Sequence, residues 1–392
     1  MKNNHTPEIR FAGFSGDWEQ RALKKVLKVN SGRDYKHLQI GDVPVYGTGG
    51  YMLSVNDKIS DEDAIGIGRK GTIDKPQLLN APFWTVDTLF FMTPLKGNSL
   101  KFIYSMSKLI NWKKYDESTG VPSLSKTSIE AIQQYFPKCD EQQQIGEFFE
   151  KVDNIINLLQ QELTTLKQTK QGFLQKMFPK EGESVPEIRF PGFTGDWKQR
   201  RLGELVQING RIGFRGYTQE DIITKEDGGI LTFSPTNIVD NQLTLDVKNT
   251  YITEVKYEES PEIKIDNGNI LFVKTGSTLG KSALVEGLNE KSTINPQIVI
   301  LRTEPITQKF LSTVLTTDVI KKQISAVRIG GAVPTLTETE LKKFELYVPT
   351  NTDEQAKIGV FFTNLDHLIT LHQRELDTLK ETKKAFLQKM FV

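Results

Sequence analysis

Residues 140–178 read DEQQQIGEFFEKVDNIINLLQQELTTLKQTKQGFLQKMF and residues 353–391 read DEQAKIGVFFTNLDHLITLHQRELDTLKETKKAFLQKMF; they align without a gap, and 24 of 39 positions are identical. In the first, Ile145, Phe149, Val152, Ile156, Leu159, Leu163 and Leu166 advance in alternating steps of four and three; Lys170 interrupts once before Phe173 and Met177 resume. The second keeps the same phase with Ile358, Phe362, Leu365, Ile369, His372, Leu376, Leu379, Lys383, Phe386 and Met390. Such a stripe is a heptad seam, so each stretch is expected to form one long helix wound against a partner. Equal lengths and matching seams predict that the two helices pack on each other. Asp140 and Asp353 are expected as N-caps, and Pro179 as the residue that stops the first helix.

Working outward, a second repeat precedes each module. Residues 7–21 (PEIRFAGFSGDWEQR) and 186–200 (PEIRFPGFTGDWKQR) match at 12 of 15 positions. Between the repeats, residues 22–139 and 201–352 share only fragments, such as VPSL at 121–124 against VPTL at 333–336. The order is cap, variable module, helix, written twice. The expected divisions are 1–139, 140–180, 181–352 and 353–392. Short apolar or β-branched runs at 43–46, 64–67, 88–92, 230–233, 270–273 and 297–301 read as strands, and residues 102–112 and 309–324 as amphipathic helices. The fold class is therefore mixed α/β (α+β), with an internal repeat.

Composition narrows the chemistry. Fifty Lys and Arg face 49 Asp and Glu over 392 residues, a net charge of +1, so bulk charge argues for no polyanion. The single cysteine, Cys139, excludes an internal disulfide and a cysteine-rich zinc site. Four histidines, His5, His37, His367 and His372, form no ligand pair at helical spacing, and no metal site is expected. No apolar run approaches the roughly 18 residues of a membrane span, and the start lacks a signal-peptide core. A soluble, cytoplasmic protein without membrane contact is the expectation.

Three catalytic motifs are near-misses. GSTLGKS at 276–282 has three residues between its glycines where a phosphate loop needs four. NAPF at 80–83 has Ala81 where the adenine-methylase motif needs proline, and FAGFSG at 11–16 is like a methyl-donor loop but its duplicate at 190–195 precedes no strand–loop–helix unit. No catalytic residue is assigned. Glycine-rich loops with cationic and hydroxyl side chains are more informative, because glycine lets backbone approach a ligand while Lys and Arg pair with phosphates or guanine edges. They are VYGTGGY (45–51) with Tyr46, Thr48 and Tyr51, and IGRKGTI (67–73) with Arg69, Lys70 and Thr72. The second module has GRIGFRGY (210–217) with Arg211, Arg215 and Tyr217, and VKTGSTLGKS (273–282) with Lys274, Thr275, Ser277, Thr278 and Lys281. Turns before proline add Ser118 and Thr119 in STGVP, and Arg328 in RIGGAVP. Residues 1–140 carry 19 cationic against 15 acidic side chains, and residues 181–352 carry 20 against 23. The second module must therefore concentrate its cations on one face if it binds DNA.

Together these features resemble the specificity (S) subunit of Type I restriction–modification systems. The resemblance covers the whole chain: PEIRFxGFxGDW before each module; VPVYGTGG, RKGT and FWTVDTLF within the first; and DEQxxIGxFF…LKxTKxxFLQKMF after each. It implies two target-recognition domains, each reading one half of a bipartite site on double-stranded DNA. It also implies a pseudo-two-fold arrangement of those domains, joined by two long antiparallel coiled-coil helices that bind two methylase (M) subunits. On that resemblance S-adenosylmethionine, ATP and Mg belong to the methylase and restriction (R) subunits, and this chain holds no cofactor. Helix pairing and partner docking fall on Ile145, Phe148, Phe149, Val152, Ile156, Leu163, Ile358, Phe361, Phe362, Leu365, Ile369 and Leu376. Phe148, Ile155, Leu158, Phe361, Leu368 and Leu371 lie off the seam and are expected to be exposed for the methylase. Two other readings stand beside this one: a duplicated coiled-coil scaffold, and the recognition region of a different split DNA methylase.

Overall fold

The computed structural model describes residues 5–211, 216–327 and 334–392. The chain divides into two compact units, Met1–Glu162 with His372–Val392, and Leu163–Leu371. Each of the two long helices, Cys139–Lys176 and Thr352–Lys389, begins in one unit and ends in the other. The heptad expectation holds: Ile145, Phe149, Ile156, Leu163, Ile358, Phe362, Ile369 and Leu376 are buried, with Val152 and Leu365 half-buried. The expected caps are displaced. Asp140 and Asp353 sit in the first turn, where acidic charge suits the helix dipole. Asn351 caps the second helix, its Oδ1 accepting from the Asp353 N–H at 2.8 Å. The first helix ends at Lys176, three residues before Pro179, and the second at the matching Lys389. Just past each end an aromatic ring is packed: Phe178 on Trp197, Phe310 and Phe362, and Phe391 on Trp18, Phe102 and Phe149.

In the first unit, strands Leu27–Ser31, Leu89–Pro94, Ala64–Gly68 and Gln77–Leu79 form one antiparallel sheet in that spatial order. A second sheet sets the hairpin Ile40–Gly47 and Gly50–Val55 beside Trp84–Thr85, the last pairing in parallel with Ile40–Gly47. In the second unit, Val206–Asn209, Ile298–Thr303, Ile270–Val273 and Ser282–Leu284 repeat the first sheet. There Ile230–Phe233 pairs in parallel with Ser292–Ile294, as the hairpin strand does with Trp84–Thr85. The six expected strands are all present. The expected helix at 102–112 is shorter, Leu100–Ser107, followed by a turn that buries Trp112 with its indole N–H on the Ser107 carbonyl at 2.9 Å. The expected helix at 309–324 is two, Gln308–Val314 and Asp318–Val327. Thr316 and Thr317 hydroxyls donate back to the carbonyls of Thr313 and Val314, both at 2.7 Å, and compete with helix continuation.

The repeated motifs have a structural cause. Arg10 of the first cap makes a two-point ion pair with Glu141 at 2.7 Å and 2.7 Å, and Arg189 of the second with Glu354 at 2.5 Å and 2.8 Å. Glu141 and Glu354 are buried, and charge-assisted two-point pairs of this kind are the strong ones. The Glu354 carboxylate raises the Arg189 pKa above its ordinary value. Next in sequence, the Gln142 side chain accepts from the Ser99 N–H (3.1 Å) and donates to the Pro137 carbonyl (2.9 Å); Gln355 does the same with Thr307 and Pro349. A Cβ on Gly146 would lie 2.7 Å from the Phe102 backbone nitrogen, and one on Gly359 would lie 2.6 Å from that of Phe310. Thus Glu, Gln and Gly in DEQxxIG lock each helix start to its cap and module.

Candidate nucleic-acid interface

In the first unit three loops converge on residues 85–88. The Arg33 N–H donates to the Thr85 carbonyl at 2.8 Å, the Val86 N–H to the Tyr46 carbonyl at 3.1 Å, and the Arg69 N–H to the Thr88 carbonyl at 2.8 Å. This joins the loop after Leu27–Ser31, the hairpin tip and the RKGT turn at one edge. Gly32 is required there, because a Cβ would fall 2.0 Å from the Val86 carbonyl oxygen. The STGVP turn closes onto RKGT: Lys70 bridges Ser123, and the Gly71 N–H donates to the Pro122 carbonyl at 2.8 Å. Gly71 has φ +93°, a left-handed conformation that favours glycine.

The second unit repeats the construction on residues 294–297. The Asn295 N–H donates to the Phe233 carbonyl (2.8 Å) and the Lys274 N–H to the Gln297 carbonyl (2.8 Å). Thr275 bridges Thr335, and the Gly276 N–H donates to the Pro334 carbonyl at 2.9 Å. The sequence pairing of RKGT with KTGS is therefore a true structural equivalence.

At the first edge, Tyr51 is 63% exposed, stands edge-on to Tyr46 and has its hydroxyl 3.2 Å from Ser54 Oγ. Thr48 occupies the hairpin turn, its carbonyl accepting from Gln77 at 3.2 Å. Arg69 and Lys70 are exposed, Thr72 is half-buried, and Arg33, Arg69 and Lys70 make no ion pair among the described residues. The Asp116 carboxylate organises the neighbouring turn by accepting from the Ser123 N–H, the Ser118 N–H and the Ser118 hydroxyl. Those bonds, led by the Ser123 N–H, hold its carboxyl below the usual range. Thr119 is exposed beside them.

The second edge is less cationic. Arg211 donates to the Ile294 carbonyl at 2.9 Å and lies over the Tyr217 ring at 5.5 Å; burial pushes its pKa down and that of Tyr217 up. Lys274 is 3.5 Å from Glu338. Ser277 is exposed and Thr278 half-buried in the hairpin that follows. Lys281, expected to act beside Lys274, instead donates to the Ile238 carbonyl at 3.3 Å and lines a cavity with Lys170 and Asp366 of the long helices. Arg215 and Arg328 lie outside the described residues.

On the helices, Phe148 and Phe361 are not exposed as expected. Phe148 packs on Phe11, Phe149 and Phe386, and Phe361 on Phe173, Phe190 and Phe362, under the phenylalanine of each cap. The exposed apolar positions include Ile155 and Leu158 on one helix and the matching Leu368 and Leu371 on the other, with Val360 exposed on the second alone. Arg33 and the two four-residue segments that gather the loops escaped the sequence reading. FWTVDTLF marked the first of these only as a resemblance; the Asn-Pro step at 295–296 is the turn signal that would have marked the second. Among the described residues, no group of three His, Cys, Asp or Glu is placed to hold a metal ion, and no helix is long and apolar enough to cross a membrane.

A sequence profile described as the Type I restriction modification DNA specificity domain matches twice, over residues 15–168 and 194–381. The chain is similar to the Type I restriction enzyme MjaVIII specificity subunit of Methanocaldococcus jannaschii, 22% identical over 337 residues, 84% of this chain and 75% of that protein. The putative Type I restriction enzyme MjaX specificity subunit of the same organism is 24% identical over 203 residues, 50% of this chain and 45% of the other. The crystal structure of the Type I restriction–modification S subunit from M. genitalium superposes with a TM-score of 0.73 at 14% identity, over 99% of both chains, a likeness of fold.

Proposed function

Since the chain belongs to the Type I restriction–modification DNA specificity family, we propose that each unit reads one half of a bipartite DNA target while the long helices dock two methylase subunits. The observation that carries this reading is the duplicated edge: in both units the same backbone bonds tie a strand end and the RKGT or KTGS turn to one four-residue segment, yet the side chains presented there differ. A constant frame with exchanged side chains suits two different base sequences, because backbone contacts position a protein on DNA and base-edge contacts specify. Exposed Arg33, Arg69 and Lys70 suit phosphate or guanine contacts in the first unit. The second unit relies more on neutral donors, in line with its acidic balance. Ile155 with Leu158, and Leu368 with Leu371, offer matched apolar patches to two identical partners. Adenine methylation with S-adenosylmethionine belongs to those partners, and ATP- and Mg-dependent cleavage to restriction subunits. The chain itself is the non-catalytic, DNA-associated part of a cytoplasmic complex.

Co-expression of the full chain with its cognate methylase, followed by methylome sequencing, tests this. Two specified blocks separated by an unspecified spacer, each with a methylated adenine, are expected. A genome without such a motif would leave a duplicated helical scaffold; a single uninterrupted block would favour the recognition region of another methylase.

A further inference from the structure

The edge at residues 294–297 carries an amide whose orientation is dictated from below. Asn295, 7% exposed, accepts the Gln297 backbone N–H on its Oδ1 at 3.0 Å. A backbone N–H can only donate, so that bond fixes which end of the Asn295 amide is oxygen. Its Nδ2 is then committed to donating, and it donates to Gln297 Oε1 at 3.1 Å. The second bond fixes Gln297 in turn: the oxygen is held inward and the Nε2 amino group is carried away from it. Gln297 is itself exposed, and its Nε2 lies over Gly276, where a Cβ would come within 3.2 Å of it. Gly276 belongs to the KTGS turn, and the Gln297 carbonyl holds the Lys274 N–H of that same turn.

Resting on the reading of the second unit as a DNA half-site reader, we infer that Gln297 is a specificity-determining residue and Asn295 its positioning residue. The outward amino group is a donor of set direction. It fits a base whose major-groove edge accepts, guanine first, because O6 and N7 both accept there. The first unit has Val86 and Thr88 at the matching positions, so it holds no such amide pair and reads its half-site by other groups.

The test uses the full chain with its cognate methylase and methylome sequencing of four forms: wild type, Gln297→Ala, Gln297→Glu and Asn295→Asp. Gln297→Ala should relax one position of one half-site, with discrimination there falling about tenfold or more and the other half-site unchanged. Gln297→Glu replaces the outward donor by an acceptor. Asn295→Asp keeps the bond to the Gln297 N–H but removes the inner donor, so the Gln297 amide turns over and presents its oxygen. Both should move preference at that position toward cytosine, whose N4 donates. A merely structural role would weaken methylation evenly without changing base identity. A bipartite motif that Gln297→Ala leaves unchanged, or weakens evenly, would overturn the inference alone. So would relaxation in Gln297→Ala with no shift in either of the other variants. A wild type without a bipartite motif would sink the half-site reading and this inference with it.

Discussion

Lys170, which interrupts the apolar seam of the first long helix, forms an ion pair with Asp366 of the second. Lys383 and Asp153, at the matching positions, repeat the pair in the other unit. The interruption is therefore a position where a lysine stem packs in the seam and its ammonium reaches a carboxylate. The two pairs differ in their surroundings. Asp153 also takes Lys108 at 3.1 Å, whereas Asp366 has Asp240 nearby. Burial, opposed by Lys170 and reinforced by Asp240, holds the Asp366 carboxyl above the ordinary aspartate range.

Asp366→Ala leaves the Lys170 ammonium, only 13% exposed, without its carboxylate. We expect a loss of about 1–3 kcal/mol in urea melts. Lys170→Leu combined with Asp366→Leu should recover most of it, since an apolar replacement of a buried pair is often neutral. Losses that simply add would show that the two side chains do not act as a pair.

The raised Asp366 pKa makes stability depend on pH in a set direction. A carboxyl whose folded pKa lies above its unfolded value favours the fold most below the unfolded value, about 3.9, and that contribution fades as pH rises through the folded value. The stability of wild type relative to Asp366→Asn should therefore decline from acid toward neutral pH. A difference that grows with pH would mean that Lys170 outweighs burial.

Alanine is ordinarily better in a helix than glycine by about 1 kcal/mol. Gly146→Ala and Gly359→Ala should nevertheless destabilise by about 1–3 kcal/mol, because each Cβ would meet backbone of the adjacent short helix. Thermal unfolding of each variant checks this, and a stabilised variant would show that the helices can separate without cost.

Cations at the gathered edges should carry the salt dependence of DNA binding. Arg69→Ala and Lys70→Ala should each lower the slope of log K against log salt by about one. Lys281→Ala should leave it unchanged, because that ammonium is held at the Ile238 carbonyl. A drop with Lys281→Ala equal to the others would return Lys281 to the interface.

Much of this protein is legible without coordinates because its sequence is written twice. The heptad phase of residues 145–177 and 358–390 determines two long helices with a buried stripe, since an apolar row at that period lies along one helix face and must be covered. The alternation of repeated and unrepeated segments likewise reveals a constant scaffold with two exchanged modules. The roles of Arg10, Glu141, Gln142 and Gly146 stayed hidden. Each depends on a partner far off in the chain, and local pattern carries no information about such pairs. Phe148 was misjudged for the same reason: it lies off the seam, but the cap aromatic Phe11 covers it. Only tertiary structure decided that Lys281 faces the helices while Lys274 joins the edge, although both stand in one glycine-rich stretch. A hairpin sends neighbouring side chains to different surroundings, and which surroundings is set by strands distant in sequence. The same holds for Gln297, whose amide takes its direction from two hydrogen bonds to a buried neighbour.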